Sequence, residues 1–343
     1  MSEERVRRRG RASMREVAER AGVAMSSVSR VLSGHPDVSP AMSARVMQAV
    51  AELDYQPDML AQSLRRRETL TVGFVVGDIS NPLFSEIVTG AESAFHSGGY
   101  SMLLTNSLGD PLLEAAHIQL LTQRRVDGLV ISVLDETHVA TLARLRELDI
   151  PVVVLDRNVP PEIEVSRVLS DHRSGMKAAT HHLLELGHRR VALIGGPEVR
   201  PAVERRAGLL EAFAERGLPA TYMLDEGSFS VEAGAAAMRR LLDQPEPPTA
   251  VIAGGNQLML GALRVISERR IRLGTELSFV GCDDVAITDL YQPAVAVVRR
   301  DNIAMGRAAA ELLLERMRGE AAASELILPT AFDARPSCGP PPR

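Results

Sequence analysis

The stretch that decides how this chain is read is MREVAERAGVAMSSVSRVLSG, Met14 to Gly34. Ser13 precedes it with Glu16 three residues on, the spacing of a capping box, in which two otherwise unpaired N–H groups are satisfied reciprocally. Val17, Ala18 and Ala21 recur at helical spacing and give a first helix one apolar stripe. Ala21-Gly22-Val23 turns the chain: Gly accepts the backbone angles required and Val23 drops into a small core. A second helix follows with Val28, Val31 and Leu32 inward, which leaves Met25, Ser26, Ser27, Ser29 and Arg30 outward. Short polar side chains with one Arg on an outer face suit base edges and phosphates in a major groove. The spacing alone also allows a plain two-helix hairpin.

Ser39-Pro40 is a strong start for a third helix, with Ser as cap and Pro at the first helical position. Val46, Val50 and Leu53 form its inner face, and LDYQPDMLAQSLRRRE follows from Leu53 to Glu68. VAERAG, SSVSRVLSG, the VSP at Val38 to Pro40 and YQPDMLAQSL resemble, in order and spacing, the headpiece of the lactose-repressor (LacI) family of transcription regulators. SNPLF, VDGLVIS, VVVLDR, HLLELGHRRVALIGG and SFVGCDD carry the resemblance over almost the whole chain.

The resemblance implies roles for named residues. Met25 and Ser26 match the variable pair that sets operator preference. Ser27, Ser29 and Arg30 match base- or phosphate-contacting positions, and a bidentate Arg30–guanine contact is worth roughly 1–3 kcal/mol. Tyr55 and Gln56 match positions at the DNA backbone. The segment 59–68, with Ala61 and Leu64, matches a hinge helix whose Leu is wedged into the minor groove. Its alternative is an ordinary linker helix with Leu64 in a core. Where relatives commonly place a capping Ser before the variable pair, this chain has Ala24. One headpiece reads half a site, so a homodimer on a pseudo-palindromic operator is expected. The chain ends without a further heptad-bearing helix, so a tetramer through a C-terminal coiled coil is not expected.

Net charge is −5 over 343 residues, so the protein is not basic throughout. Its positive charge is local: Arg5, Arg7, Arg8, Arg9 and Arg11 in an arm over 1–12, and Arg65 to Arg67 after the headpiece. Such clusters give either a phosphate-binding footprint or a solvated arm. No apolar run is long enough for a membrane span, no signal peptide is evident, and Cys282 and Cys338 lack metal-ligand spacing. A cytoplasmic protein without metal or cofactor, nucleoid-associated when on its operator, is expected. His181, His182 and His188 invite an enzymatic reading, but no nucleophile–base spacing or phosphate loop accompanies them.

After Thr69 the pattern changes. TVGFVVGD, YSMLLTN, VDGLVISVL, IPVVVLDR, RRVALIGG, TAVIAGG and LSFVGCDD are short β-rich runs separated by amphipathic stretches of helix length. Near-continuous apolar strands between helices predict parallel sheets covered on both faces, and so many units predict two sheet domains. The fold class expected is α/β: a small all-α helix-turn-helix headpiece over 13–58, then a core over 69–343. The resemblance makes that core a two-lobed periplasmic-binding-protein-like domain that binds effector and dimerises. Its N-lobe covers about 70–169 plus 302–331 and its C-lobe about 170–301 plus 332–340.

The effector cleft is expected beyond the carboxyl ends of the strands. There the resemblance implies ligand contacts from Asn81, Phe84, Asp156, Arg157, Arg205, Phe229, Gly255, Asp283 and Arg300. Carboxylates and Arg suit hydroxyls, and aromatics suit the apolar face of a sugar ring. Alternatives stay open: Asp156 pairs with Arg157 at a loop, or Asp284 caps the following helix. Two departures from the family matter. Gly255-Asn256 stands where relatives carry Asn-Asp, so that Gly255 leaves space. Arg300 stands where sugar-responsive members have Gln, and its planar cation suits a carboxylate or phosphate. The effector expected is therefore a sugar, a sugar acid or a sugar phosphate, unless Arg300 instead pairs with Asp156, Asp283 or Asp301 and only trims the pocket.

Overall fold

Ser13 and Glu16 close the capping box: Ser13 Oγ accepts from Glu16 N–H at 3.3 Å, and Glu16 Oε2 accepts from Ser13 N–H at 2.6 Å. They start α1, Met14–Ala21, which ends at Gly22 with φ 63°, a left-handed conformation open to Gly at little cost. Then come α2, Met25–Leu32, and α3, Pro40–Glu52, which is capped by Ser39. The three helices bury Val17, Ala18, Ala21, Val28, Val46 and Ala49, with Val23, Val31, Leu32, Val50 and Leu53 packed around them. Arg20 on α1 pairs with Glu52 on α3 at 2.5 Å.

This computed structural model describes residues 12–32, 35, 37–55, 68–219, 222–225 and 227–342. The basic arm up to Arg11, Arg65 to Arg67 and all of the expected hinge helix except Glu68 lie outside the described residues. The chain divides into two compact units, Met1–Thr69 and Leu70–Arg343.

The second unit holds two six-stranded sheets. The first contains β1 Thr71–Val76, β2 Ser101–Asn106, β3 Gly128–Ile131, β4 Val152–Leu155, β5 Ser166–Ser170 and β11 Glu325–Leu328. All pair in parallel, in the order β11-β5-β4-β3-β1-β2. The second contains β6 Val191–Ile194, β7 Tyr222–Asp225, β8 Ala250–Ala253, β9 Ser278–Cys282, β10 Ala296–Arg299 and β12 Ala331–Asp333. Its order is β12-β10-β9-β8-β6-β7, parallel except for β12 against β10.

Each sheet has an apolar core on both faces, as runs such as VVVL and AVIA require. The chain passes between the sheets after Ser170, between Arg299 and Asn302, and between Leu328 and Ala331. Ser170 is the last residue of a first-sheet strand and Ala331 the first of a second-sheet strand, each one residue across the boundary expected from sequence. The helix Asn302–Met317 returns to pack Met305, Ala309, Ala310 and Leu313 on the first sheet.

Candidate functional site

A cavity of about 180 Å³ opens at the carboxyl ends of the strands of both sheets. From the first sheet it takes Asn81 and Phe84 after β1, and Asp156 and Arg157 after β4. From the second it takes Arg205, Phe229, Gly255, Asp283 and Arg300. All nine residues singled out in the sequence therefore line one cavity. Leu83, Ile87, Leu134, Leu155 and Met305 add an apolar wall, and Ser132, Asn256 and Gln257 add polar groups.

Local structure aims these side chains. Asn81 caps the helix Pro82–Ser97 by accepting from Leu83 N–H at 3.1 Å. The same Oδ1 accepts from Asn256 Nδ2 at 2.6 Å, a bond from one lobe to the other. Asp156 and Asp283 each follow a strand in the left-handed region, at φ 52° and 73°. Asp visits that region more readily than most residues, because its short side chain can bond locally.

Asp156 is the hub. Its Oδ1 accepts from Ser170 N–H at 2.9 Å and from Arg200 Nη1 at 3.3 Å. Its Oδ2 accepts from His172 Nε2 at 2.7 Å and from Arg300 Nη1 at 2.5 Å. Burial opposes its ionisation, but the His172 contact, the Arg300 charge and the Ser170 N–H outweigh burial and hold the carboxyl well below the usual range. Burial pushes the His172 imidazole down to about 4, against the pull of Asp156, so it is neutral at neutral pH and donates through Nε2.

Arg300 also donates from Nε to Asp283 Oδ1 at 2.8 Å. The pairing alternative for Arg300 is thus the one observed, with Asp156 and Asp283 as its partners. Asp301 instead caps the helix Asn302–Met317 through Ala304 N–H at 2.8 Å. Arg157 bonds the Asp156 carbonyl at 2.9 Å rather than its carboxylate. Asp284 binds Arg335 and Thr288, while the following helix has no side-chain cap.

The space that Gly255 leaves is already used. A Cβ at Gly255 would stand 3.2 Å from the Phe229 ring, and one at Gly196 only 2.2 Å from it. The two glycines seat the aromatic wall of the cavity.

Sequence reasoning missed His172, Arg200 and Ser170. Only His172 left a signal: a polar residue on the stripe that continues through Gly175, Met176 and Ala179, all buried. His181 and His182 lie outside the cavity, His181 bonding Glu215 at 2.7 Å. His188 is buried and bonded to Thr249, Ser278 and the Gly339 carbonyl. Among the described residues no group of acidic, His and Cys side chains could hold a metal ion, and no helix is long and apolar enough to cross a membrane.

In the headpiece, Met25, Ser26 and Arg30 are exposed on α2, and Ser27 and Ser29 are half-buried. Ala24, immediately before α2, offers only its carbonyl, which accepts from Ser27 and Val28 N–H. Tyr55, expected at the DNA backbone, is buried in the headpiece core with Val17 and Val46. Gln56, Ala61 and Leu64 lie outside the described residues.

Residues 13–58 match the family described as bacterial regulatory proteins, lacI family, and residues 180–338 match the periplasmic binding protein-like domain. The transcriptional repressor CytR of Escherichia coli K12 is 32% identical over 311 residues, covering 90% of this chain and 91% of its own. The Lac repressor dimer bound to operator and the anti-inducer ONPF superposes with a TM-score of 0.84 at 28% identity, covering 96% of this chain and 99% of that one. The regulator CelR in complex with cellobiose superposes with a TM-score of 0.72 at 32% identity, covering 95% and 100%. This chain belongs to the LacI family of bacterial regulatory proteins.

Proposed function

We propose that this protein is a transcriptional repressor whose hold on a pseudo-palindromic operator is set by a small sugar-class effector, a sugar, sugar acid or sugar phosphate, bound between its two lobes. The observation that carries this reading is the cavity of about 180 Å³, whose wall takes side chains from both sheets. A ligand that contacts both lobes binds one arrangement of them better than another, and that difference in affinity is what shifts the equilibrium. Its size is that of about six water molecules, which suits a small polyol rather than a drug-sized ligand. Two relatives support the class: the CelR structure holds cellobiose and the Lac repressor structure holds an anti-inducer.

DNA recognition is assigned to the outer face of α2. Met25 and Ser26 set operator preference, Ser27, Ser29 and Arg30 contact bases or phosphates, and two subunits engage two half-sites. Gln56, Ala61 and Leu64 complete the DNA-binding set proposed from the family pattern. A repressor that acts on operator DNA is assigned to the cytoplasm and, when bound, to the nucleoid.

The test is a titration of the full chain onto operators selected from a pool of pseudo-palindromic duplexes, with and without a panel of sugars, sugar acids and sugar phosphates. Expected are a specific complex of two chains per duplex, and at least one compound that changes its affinity. Binding that ignores sequence, or a panel that binds the protein without moving operator affinity, would sink the reading.

A further inference from the structure

Coulomb attraction has already decided how the charged groups of the cavity pair, and the outcome is uneven. Three guanidiniums, Arg157, Arg205 and Arg300, meet two buried carboxylates, Asp156 and Asp283. Asp78, at the rim, is turned to its own loop, where it accepts from Ser80 N–H and Oγ. Arg300 spans both buried carboxylates, at 2.5 Å to Asp156 and 2.8 Å to Asp283. Asp156 also holds Ser170 N–H, Arg200 and His172, so the roughly four acceptor positions of a carboxylate are filled by protein. It has nothing left for a ligand hydroxyl, whereas Asp283 keeps its second oxygen.

Arg157 and Arg205 are left with backbone acceptors, the Asp156 carbonyl at 2.9 Å and the Gly254 carbonyl at 2.6 Å. Among the described residues neither forms an ion pair, and the Nε of each is buried without a hydrogen-bond partner. Unpaired N–H donors on buried cations are costly unless a ligand supplies the acceptor. A neutral hydroxyl fills one such donor weakly, whereas an oxyanion fills it with a charge-assisted bond.

We infer that the effector carries an anionic group, a carboxylate or a phosphate, seated on Arg157 and Arg205, and that Arg300 sets this preference from behind by occupying Asp156 and Asp283. Arg300 is thus a positioning residue: it does not receive the anion but takes the ion-pair contacts of the two carboxylates, leaving Arg157 and Arg205 without a direct carboxylate partner. This inference rests on the cavity's being the effector site.

The test is calorimetry on the full chain with matched compounds: ribose, ribonate and ribose 5-phosphate, and glucose, gluconate and glucose 6-phosphate. In at least one set the acid or the phosphate binds about tenfold or more tightly than the neutral sugar, the value of one charge-assisted bond. Which of the two wins identifies the anion. Arg300→Gln is expected to erase that preference, because Asp283 then loses its ion-pair partner and Asp156 keeps only Arg200 and His172, which leaves both carboxylates to bear on Arg157 and Arg205. Arg157→Gln keeps the Arg300 pairings and serves where Arg300→Gln fails to fold; it is expected to lose affinity for the anionic compound and not for its neutral partner. Neutral sugars binding as well as their acids and phosphates, no acid or phosphate binding at all, or a preference that survives both variants would overturn the inference. A neutral sugar that binds and shifts operator affinity would leave the proposed function standing while removing this one.

Discussion

Asp156 and Asp283 hold equivalent places in the two lobes: each ends a strand of its sheet in the left-handed conformation, and each accepts from the same guanidinium, Arg300. The Asp156 end of this bridge is shared with His172, just past the crossover after Ser170, and with Arg200, at the start of the helix Arg200–Glu215 that follows β6. Removing one partner of a buried ion pair leaves the other uncompensated, which costs about 3–5 kcal/mol. Asp156→Asn keeps the shape and tolerates the backbone angle, but removes the charge and turns one of the two accepting oxygens into a donor. It is expected to lower the unfolding free energy of the core, read from urea unfolding, by that order. Asp156→Asn and Arg300→Gln together should cost less than their sum by about 0.5–3 kcal/mol, the mark of residues in direct contact. Strict additivity would show that the bridge does not hold the lobes.

Gly196 offers a cleaner handle on the cavity wall. Its missing Cβ is where the Phe229 ring lies, at 2.2 Å, whereas the approach at Gly255 is 3.2 Å. Gly196→Ala must displace the ring, and overpacking of this kind costs about 1–3 kcal/mol. Effector affinity should fall with it, and Gly255→Ala should do less. Adding Phe229→Ala to Gly196→Ala is expected to restore thermal stability but not affinity. Restored affinity would mean that the ring does not touch the effector.

Ala24 leaves the first N–H groups of α2 without a side-chain acceptor. A Ser at this position typically contributes about 0.5–2 kcal/mol through its hydroxyl. Ala24→Ser should therefore slow hydrogen exchange at Ser26 and Ser27 in the free protein, with a smaller effect on the operator complex, where DNA already orders the helix. Equal exchange in both proteins would show that α2 needs no cap.

Much of this architecture was legible because the signals are local. The Ser13 and Ser39 caps and the apolar runs of β1, β3, β4, β6, β8 and β9 stand directly in the sequence. So do the strand ends where Asp156 and Asp283 sit. Less legible were β5, β10, β11 and β12, which are short and fixed by pairing across the crossovers rather than by their own pattern. The nine cavity residues could be named through family resemblance, and Asp156, Asp283 and Asp301 as candidate partners of Arg300, but not which of them it takes. Ligand contact and ion pairing both stay open for Arg300 in the sequence, because no spacing reveals that two carboxylates, 144 and 17 residues away, converge on it. Tyr55 looked like a surface contact because a polar ring at a helix end is equally suited to a core. Gly255 looked like free space because Phe229 fills it from 26 residues upstream, and only tertiary packing brings the two together.

Glu114 and His172 give the core opposed responses to pH. Glu114 lies fully buried on the helix Pro111–Gln123 and accepts from Leu134 N–H at 3.0 Å and Thr141 Oγ1 at 3.1 Å. Burial raises its carboxyl from 4.5 to about 7, despite both bonds. Between those values the folded protein keeps a proton that the unfolded chain has lost, so this group makes stability fall as pH rises through the window. His172 is shifted from 6.5 to about 4, so there the unfolded chain binds the extra proton and stability rises with pH. His188, also lowered by burial, acts in the same direction as His172. Each displacement, from 4.5 to about 7 and from 6.5 to about 4, corresponds to about 3 kcal/mol. Between 4.5 and 6.5 the Glu114 slope opposes those of His172 and His188, which predicts a wild-type profile that rises less steeply than the two histidines alone would make it. Glu114→Gln retains one acceptor for Leu134 and one donor for Thr141 while removing the titration. Its stability should match wild type near the unfolded carboxyl value of 4.5 and then climb with pH, exceeding wild type by up to about 3 kcal/mol above about 7. Urea unfolding across this range measures both curves, and a variant that runs parallel to wild type would show that Glu114 is ionised in the folded core.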